Sequence, residues 1–108
     1  MFTQKLVGHP ILQAPAVRPD SNHAWHQYCI RTEDPASFIA HFDSLGIDAR
    51  QYYTTPCHQQ HVYKLHSQYS QRLENTDMAT TLLVAIPVMH ELTKEEIQRI
   101  VEALQSYS

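Results

Sequence analysis

Residues 51 to 63, QYYTTPCHQQHVY, gather tyrosines, histidines, glutamines, a cysteine and a proline into one short run. Imidazoles move protons or ligate metals, phenols and carboxamides hydrogen-bond polar ligands, and a thiol serves as nucleophile or ligand. The proline and its turn-prone neighbours TTP exclude both a clean helix and a clean strand here. The chemistry open to this run depends on what else the chain offers.

A metal site is the first possibility. The sequence has 8 histidines; His23 and His26, and again His58 and His61, stand three apart, with Cys57 adjoining the second pair. On a strand, residues three apart point to opposite faces, so only His58 and His61, on a helical turn, could converge on an ion. The third and fourth ligands of a structural site are missing, and the expectation is no bound metal and surface or half-buried imidazoles. Glu95 and Glu96 are a pair of helix-start charges meeting the dipole rather than a catalytic dyad. No nucleophile-elbow sequence occurs, and the only glycines, Gly8 and Gly46, make no phosphate loop. No catalytic residue is assigned from the motifs.

Composition sets the outer bounds. With 108 residues, 43% apolar and 18% charged, the chain suits a single domain spanning 1–108 with one core. A net charge of −3 without any Lys/Arg cluster offers no field to phosphate backbones or anionic lipid, so neither nucleic acid nor membrane is an expected partner. No stretch approaches the roughly 18 apolar residues of a span, and the first residues lack the pattern of a signal peptide. A cytoplasmic protein with Cys29 and Cys57 as reduced thiols is the expectation.

The elements that must hold the 51–63 run follow from periodicity. AWHQYCIR (24–31) alternates as a strand, with Trp25 and Tyr28 as core or interface aromatics. Asp34 as N-cap and Pro35 at the first position open a helix whose Phe38, Ile39, Phe42 and Leu45 form one face, and Gly46 suits the left-handed position after it. IDARQYY (47–53) reads as a second strand. Residues 58 to 66 fit a short helix or an irregular loop equally. Asn75 or Thr76 should cap a helix carrying Met78, Leu82 and Leu83, and the apolar VAIPV should be a short strand stopped by Pro87. Thr93 with Glu96 makes a capping box, Leu92 with Ile97 a hydrophobic staple, and Ile97, Ile100, Val101 and Leu104 an apolar stripe. Residues 1–7 read as a helix remnant and 8–22 as extended connector, leading into the domain proper at 23–108. The fold expected is α+β, a two-layer sandwich of about three short strands packed against two to four helices.

In this order and spacing, WHQYCIR, SLGIDAR, YTTPCHQQHVY and AIPVMHELTKEEIQRIVEAL resemble the C-terminal small domain of the DegT/StrS family, pyridoxal-phosphate-dependent aminotransferases acting on nucleotide-borne keto sugars. The resemblance covers residues 24 to 104. It implies that Tyr53, Pro56, His58, Gln60 and Tyr63 match the family's Tyr-Pro-x-Pro-x-His-x-Gln segment and its later tyrosine, so that Tyr53, His58, Gln60 and Tyr63 approach the mouth of the active site. Two departures bear on that. Thr54 stands for the motif's first proline and Tyr52 for a common histidine, loosening the loop and its sugar contacts. Each residue also has a plain structural alternative: Tyr53 and Tyr63 as packing anchors, His58 as a carbonyl cap, Gln60 as a loop bridge.

The resemblance also implies what is missing. The Schiff-base lysine, the acidic partner of the pyridine nitrogen and the phosphate cradle belong to the family's large domain, and Lys5, Lys64 and Lys94 lie in no matching segment. The expectation is a chain that binds no pyridoxal phosphate alone and has no transaminase activity by itself. The expected partners are a second copy or a separately encoded large domain, and a nucleotide sugar. The alternative reading is a stand-alone sugar-nucleotide-binding or self-assembly module, or one half of a split enzyme completed in trans.

Overall fold

The structure is a computed structural model that describes residues 1–65 and 72–108. Among the described residues, five helices, α1 (Phe2–Lys5), α2 (Pro35–Ser44), α3 (His61–Lys64), α4 (Glu74–Leu82) and α5 (Lys94–Ser106), accompany two strands, β1 (Tyr28–Arg31) and β2 (Leu83–Ile86). The fold is α+β as expected, and α1 and α3 are single turns. None of the described helices is long and apolar enough to cross a membrane.

The strands pair antiparallel, with Tyr28 opposite Ile86 and Ile30 opposite Val84. Alternation puts Tyr28, Ile30, Val84 and Ile86 on one face, and all four are buried. That face meets α2 and α5 through Phe38, Phe42, Ile100, Ala103 and Leu104. Phe38, Phe42, Ile30, Leu104 and Val84 are fully enclosed, and burial of each such side chain is worth about 1.5–3 kcal/mol. Phe38 stacks on Phe42 at 4.4 Å between centroids and meets Tyr107 edge-on at 5.2 Å, which fastens the chain end onto α2.

Two strand expectations are corrected. Residues 47–53 do not form a third strand: only Arg50 bridges to Ala85, through a reciprocal pair of backbone bonds, before the chain turns away. The polar and turn-forming residues from Gln51 onward supply no further pairing partner for β2, whose next residue, Pro87, has no N–H to give. The strand at 24–31 begins only at Tyr28. Trp25 adopts φ +49, a left-handed conformation that ends strand pairing, held by stacking on His23 at 4.2 Å and contact with Tyr28 at 4.9 Å. On the other edge, Gln13 bridges to Arg31, so part of the connector lies along the sheet, and Leu6 and Leu12 from the same region enter the core.

Helix ends obey the sequence closely at α2 and α5. Asp34 accepts the Ser37 N–H at 3.0 Å with Pro35 behind it. Gly46 has φ +67, and the N–H groups of Gly46 and Ile47 donate to the carbonyls of Asp43 and Phe42, the Schellman pattern. Arg99 of α5 donates to the Leu45 carbonyl at 2.9 Å, placing a cation on the same helix end. The capping box of α5 is formed. At α4 the expected cap is overturned. The helix starts at Glu74 after Leu73, with no side-chain cap, so Asn75 and Thr76 lie within the first turn.

The end of α5 is closed by histidines that no motif singled out. His9 Nε2 lies 3.2 Å from the Leu104 carbonyl, while the Leu12 N–H points at its Nδ1. A carbonyl only accepts and an amide N–H only donates, so the ring must carry its proton on Nε2. His41 Nε2 likewise donates to the Ala103 carbonyl at 3.0 Å. These bonds satisfy two of the four carbonyls a helix end leaves open.

The Thr93 backbone and hydroxyl hold the Glu96 carboxyl below the ordinary carboxylate range. A carboxyl depressed in the folded state adds stability above its unfolded value, and that stability is lost as pH falls through its folded value. Thr93→Ala should cost about 1 kcal/mol near neutral pH. In urea unfolding followed across pH, its deficit against the parent should shrink below pH 4.5, the group's ordinary value.

Candidate functional site

The run from Gln51 to Lys64 leaves the sheet after the Arg50 bridge and returns against α4. Pro56 is buried and turns the chain into a short 3-10 turn, Cys57–Gln59, which runs directly into α3. Both ends of the loop are fastened to α4 by side chains. At the start, the Gln51 carboxamide donates to the Thr80 carbonyl at 2.8 Å. At the end, the Gln59 carboxamide donates to Asp77 Oδ1 at 2.6 Å, and His58 Nε2 sits 2.9 Å from the same oxygen. His58 Nε2 is buried and makes no directed hydrogen bond, so its 2.9 Å approach to Asp77 is an electrostatic contact that is an ion pair only when the ring carries a proton on both nitrogens.

The four site residues fare differently. Tyr53 is 70% exposed and touches Tyr52 with ring centroids 5.9 Å apart, so it anchors no core of this chain. His58 is the enclosed member, and it meets a carboxylate instead of capping a carbonyl. Gln60 is exposed and heads α3, where its backbone carbonyl accepts from Tyr63 and Lys64. Tyr63 is half-exposed on α3. The residues brought together are thus His58, Gln59 and Asp77. Gln59 and Asp77 escaped the sequence reading because Asp77 lies 18 residues from Gln59 on a helix without an apolar face to mark its orientation.

α4 itself buries no residue, and Met78, one of the apolar residues the helix was expected to carry, is 50% exposed. Among the described residues, Tyr52, Tyr53, Val62, Tyr63, Leu65, Leu73 and Met78 all expose large apolar or aromatic surface within one stretch of the chain. His61 is exposed on α3, away from the enclosed His58. Among the described residues no three His, Cys, Asp or Glu side chains converge as metal ligands. His66 lies outside the described residues.

Two solvent-open grooves among the described residues bear on the site. The larger, about 580 Å³, lies between the N-terminal segment and the start of α2, lined by His9, Gln13, Arg31 and Asp34. Its lining includes no residue of the 51–63 loop, and its Arg31 is already paired with Glu33 at 3.1 Å. The second, about 500 Å³, borders the loop, with Arg50, Tyr52, His26 and Met89 around the open edge of β2. Arg50 there is held by both oxygens of Asp48 at 2.9 Å.

Residues 1–105 match the profile of the DegT/DnrJ/EryC1/StrS aminotransferase family. The chain belongs to this family. A curated relative, dTDP-3-amino-3,6-dideoxy-alpha-D-galactopyranose transaminase of Aneurinibacillus thermoaerophilus, is 26% identical over 94% of this chain and 27% of its own length. The crystal structure of Streptomyces venezuelae DesV with a ketimine intermediate shares the fold with a TM-score of 0.84, at 22% identity over 96% of this chain and 28% of that one. Bacillus subtilis NtdA with bound cofactor PMP matches with a TM-score of 0.78, at 24% identity over 95% of this chain and 24% of its own. The chain spans less than a third of the length of these relatives.

For this family member, the cofactor that the resemblance implies can be tested against the residues. Lys5, Lys64 and Lys94 are all exposed, and none lines either groove. A Schiff-base lysine needs an enclosed amine beside a phosphate cradle, and the described residues supply neither. These residues do not fit pyridoxal phosphate on their own.

The two thiols, both free, differ in setting: Cys57 is exposed on the loop, whereas burial in β1 pushes the Cys29 thiol up from its ordinary value. Iodoacetamide should therefore alkylate Cys57 well before Cys29, by at least about tenfold in rate given the thiolate requirement. Peptide mass spectrometry over a time course checks this.

Proposed function

We propose that this chain supplies the small domain of a sugar-nucleotide aminotransferase and has no transaminase activity in isolation. Its site is completed by a pyridoxal-phosphate-binding large domain, covalently attached or separately encoded. The observation that carries the reading is the exposed aromatic and apolar surface of Tyr52, Tyr53, Val62, Tyr63, Leu65, Leu73 and Met78, which spans the family's Tyr-to-Tyr segment and reaches α4, a helix with no buried residue. Contiguous apolar patches above a few hundred Å² mark binding faces. In this reading the large domain covers that face and the loop presents Tyr53, His58, Gln60 and Tyr63 to a nucleotide sugar. Phenols, an imidazole and a carboxamide suit the hydroxyl-rich sugar, while the chemistry at its carbonyl belongs to the cofactor and the lysine of the other domain.

The same uncovered surface favours a second reading for the chain on its own, self-association through this face. Light scattering that shows only monomer at high concentration would contradict it.

Incubation of the isolated 108-residue chain with pyridoxal phosphate and borohydride should leave Lys5, Lys64 and Lys94 unmodified by mass spectrometry. A stoichiometric, site-specific adduct on any one of them would overturn the assignment of inactivity.

A further inference from the structure

We propose that Asp77 is the positioning residue of the candidate site: its carboxylate fixes the His58 ring and locks the loop onto α4. This rests on the reading of the 51–63 loop as site-lining and adds a residue to it from outside the loop.

The geometry gives Asp77 two simultaneous partners on successive loop residues. One oxygen, Oδ1, takes the Gln59 N–H at 2.6 Å and lies 2.9 Å from His58 Nε2. Hydrogen bonds to an ionised acceptor are roughly twice as strong as neutral ones, so this oxygen outweighs the neutral Gln51 to Thr80 carbonyl bond at the loop's other end. Asp77 is itself well placed for rigidity. It lies in the first turn of α4, where the dipole favours a carboxylate, and its backbone carbonyl receives the Thr80 hydroxyl at 2.8 Å.

Nε2 is enclosed 2.9 Å from the carboxylate, so the ring's approach to a sugar hydroxyl or a phosphate oxygen falls to Nδ1 in this arrangement. The most enclosed of the four predicted site side chains is therefore aimed by a residue 19 positions away, and the exposed Tyr52 and Tyr53 between the two fastenings are carried with it. A loop that has Thr54 where its relatives' motif has proline gains from Asp77 the stiffness it lacks in its own backbone.

The test uses the full chain, labelled with ¹⁵N in its histidine rings, with the His58 signals assigned from a His58→Phe variant. In the parent, the His58 Nε2 proton should exchange slowly with water. Asp77→Ala substitutes the best helix former, so far-UV circular dichroism should barely move, while the unfolding midpoint should fall modestly as the first-turn carboxylate and the Gln59 bond are lost. In that variant, His58 Nε2–H exchange and chymotryptic cleavage at Tyr52 and Tyr53 should each rise about tenfold, the equivalent of one lost charge-assisted bond. Asp77→Glu, which keeps the carboxylate, should restore most of the protection, whereas a merely structural role would follow helix content alone. Unchanged His58 exchange and cleavage in a folded Asp77→Ala chain would overturn the proposal. That result would leave the assignment of function standing, and a trapped lysine adduct would do the reverse.

Discussion

A two-stranded antiparallel ribbon has too little pairing to stand alone in water, and everything else in this protein depends on how that weakness is met. The inward face of Tyr28, Ile30, Val84 and Ile86 is sealed by α2 and α5, whose Phe38, Phe42 and Leu104 leave no side chain of that layer open to water. The helix ends then have to be closed without costing the core its fit. Arg99 on α5 serves the last carbonyl of α2, and His41 on α2 serves the end of α5, so each helix finishes the other. His9 adds the N-terminal segment to the same closure.

Against that apolar body, α4 and the 51–64 segment are attached by different means. α4 buries no side chain, and the bonds that reach it from the loop run through Gln51, His58 and Gln59 to polar atoms. Net polar contacts of this kind are each worth about 1 kcal/mol, far less than the burial of an aromatic core residue. The segment carrying the family's motif is thus the part of the molecule whose position is set by a few polar contacts. That suits the proposed reading, in which another domain covers this surface and completes its packing.

The parts legible in the sequence were those written in local rules. Asp34–Pro35, Gly46 and Thr93–Glu96 are caps whose geometry depends on residues within four positions, and all are present. The α5 stripe was legible for the same reason, its period being strict, although Ala103 joins it as a buried small residue that no hydrophobicity pattern emphasises. The failures were long-range. The run 47–53 alternates like a strand, yet its pairing is confined to Arg50: the antiparallel register sets Asp48 against Pro87, which has no N–H, and the chain turns away from Val84 and Leu83 at Gln51. The caps expected at Asn75 or Thr76 ignored that a helix without an apolar face gives no phase to locate its start. In the loop, the motif drew the eye to Gln60, whereas the tertiary contact falls on Gln59, because only the partner on α4 decides which glutamine turns inward. The histidine excess, suggestive of metal, is in part explained by helix closure at His9 and His41.

The central claim is a division between a self-sufficient core and a segment, the 51–64 loop with α4, held together mainly by polar contacts and burying little beyond Pro56. Native-state amide hydrogen exchange on the isolated chain measures that division directly. The account predicts that amides of β1, β2, α2 and α5 exchange only through global unfolding, while those of α4 and of residues 51–64 exchange through local opening at least about a hundredfold faster. Protection of α4 equal to that of α5 would contradict it.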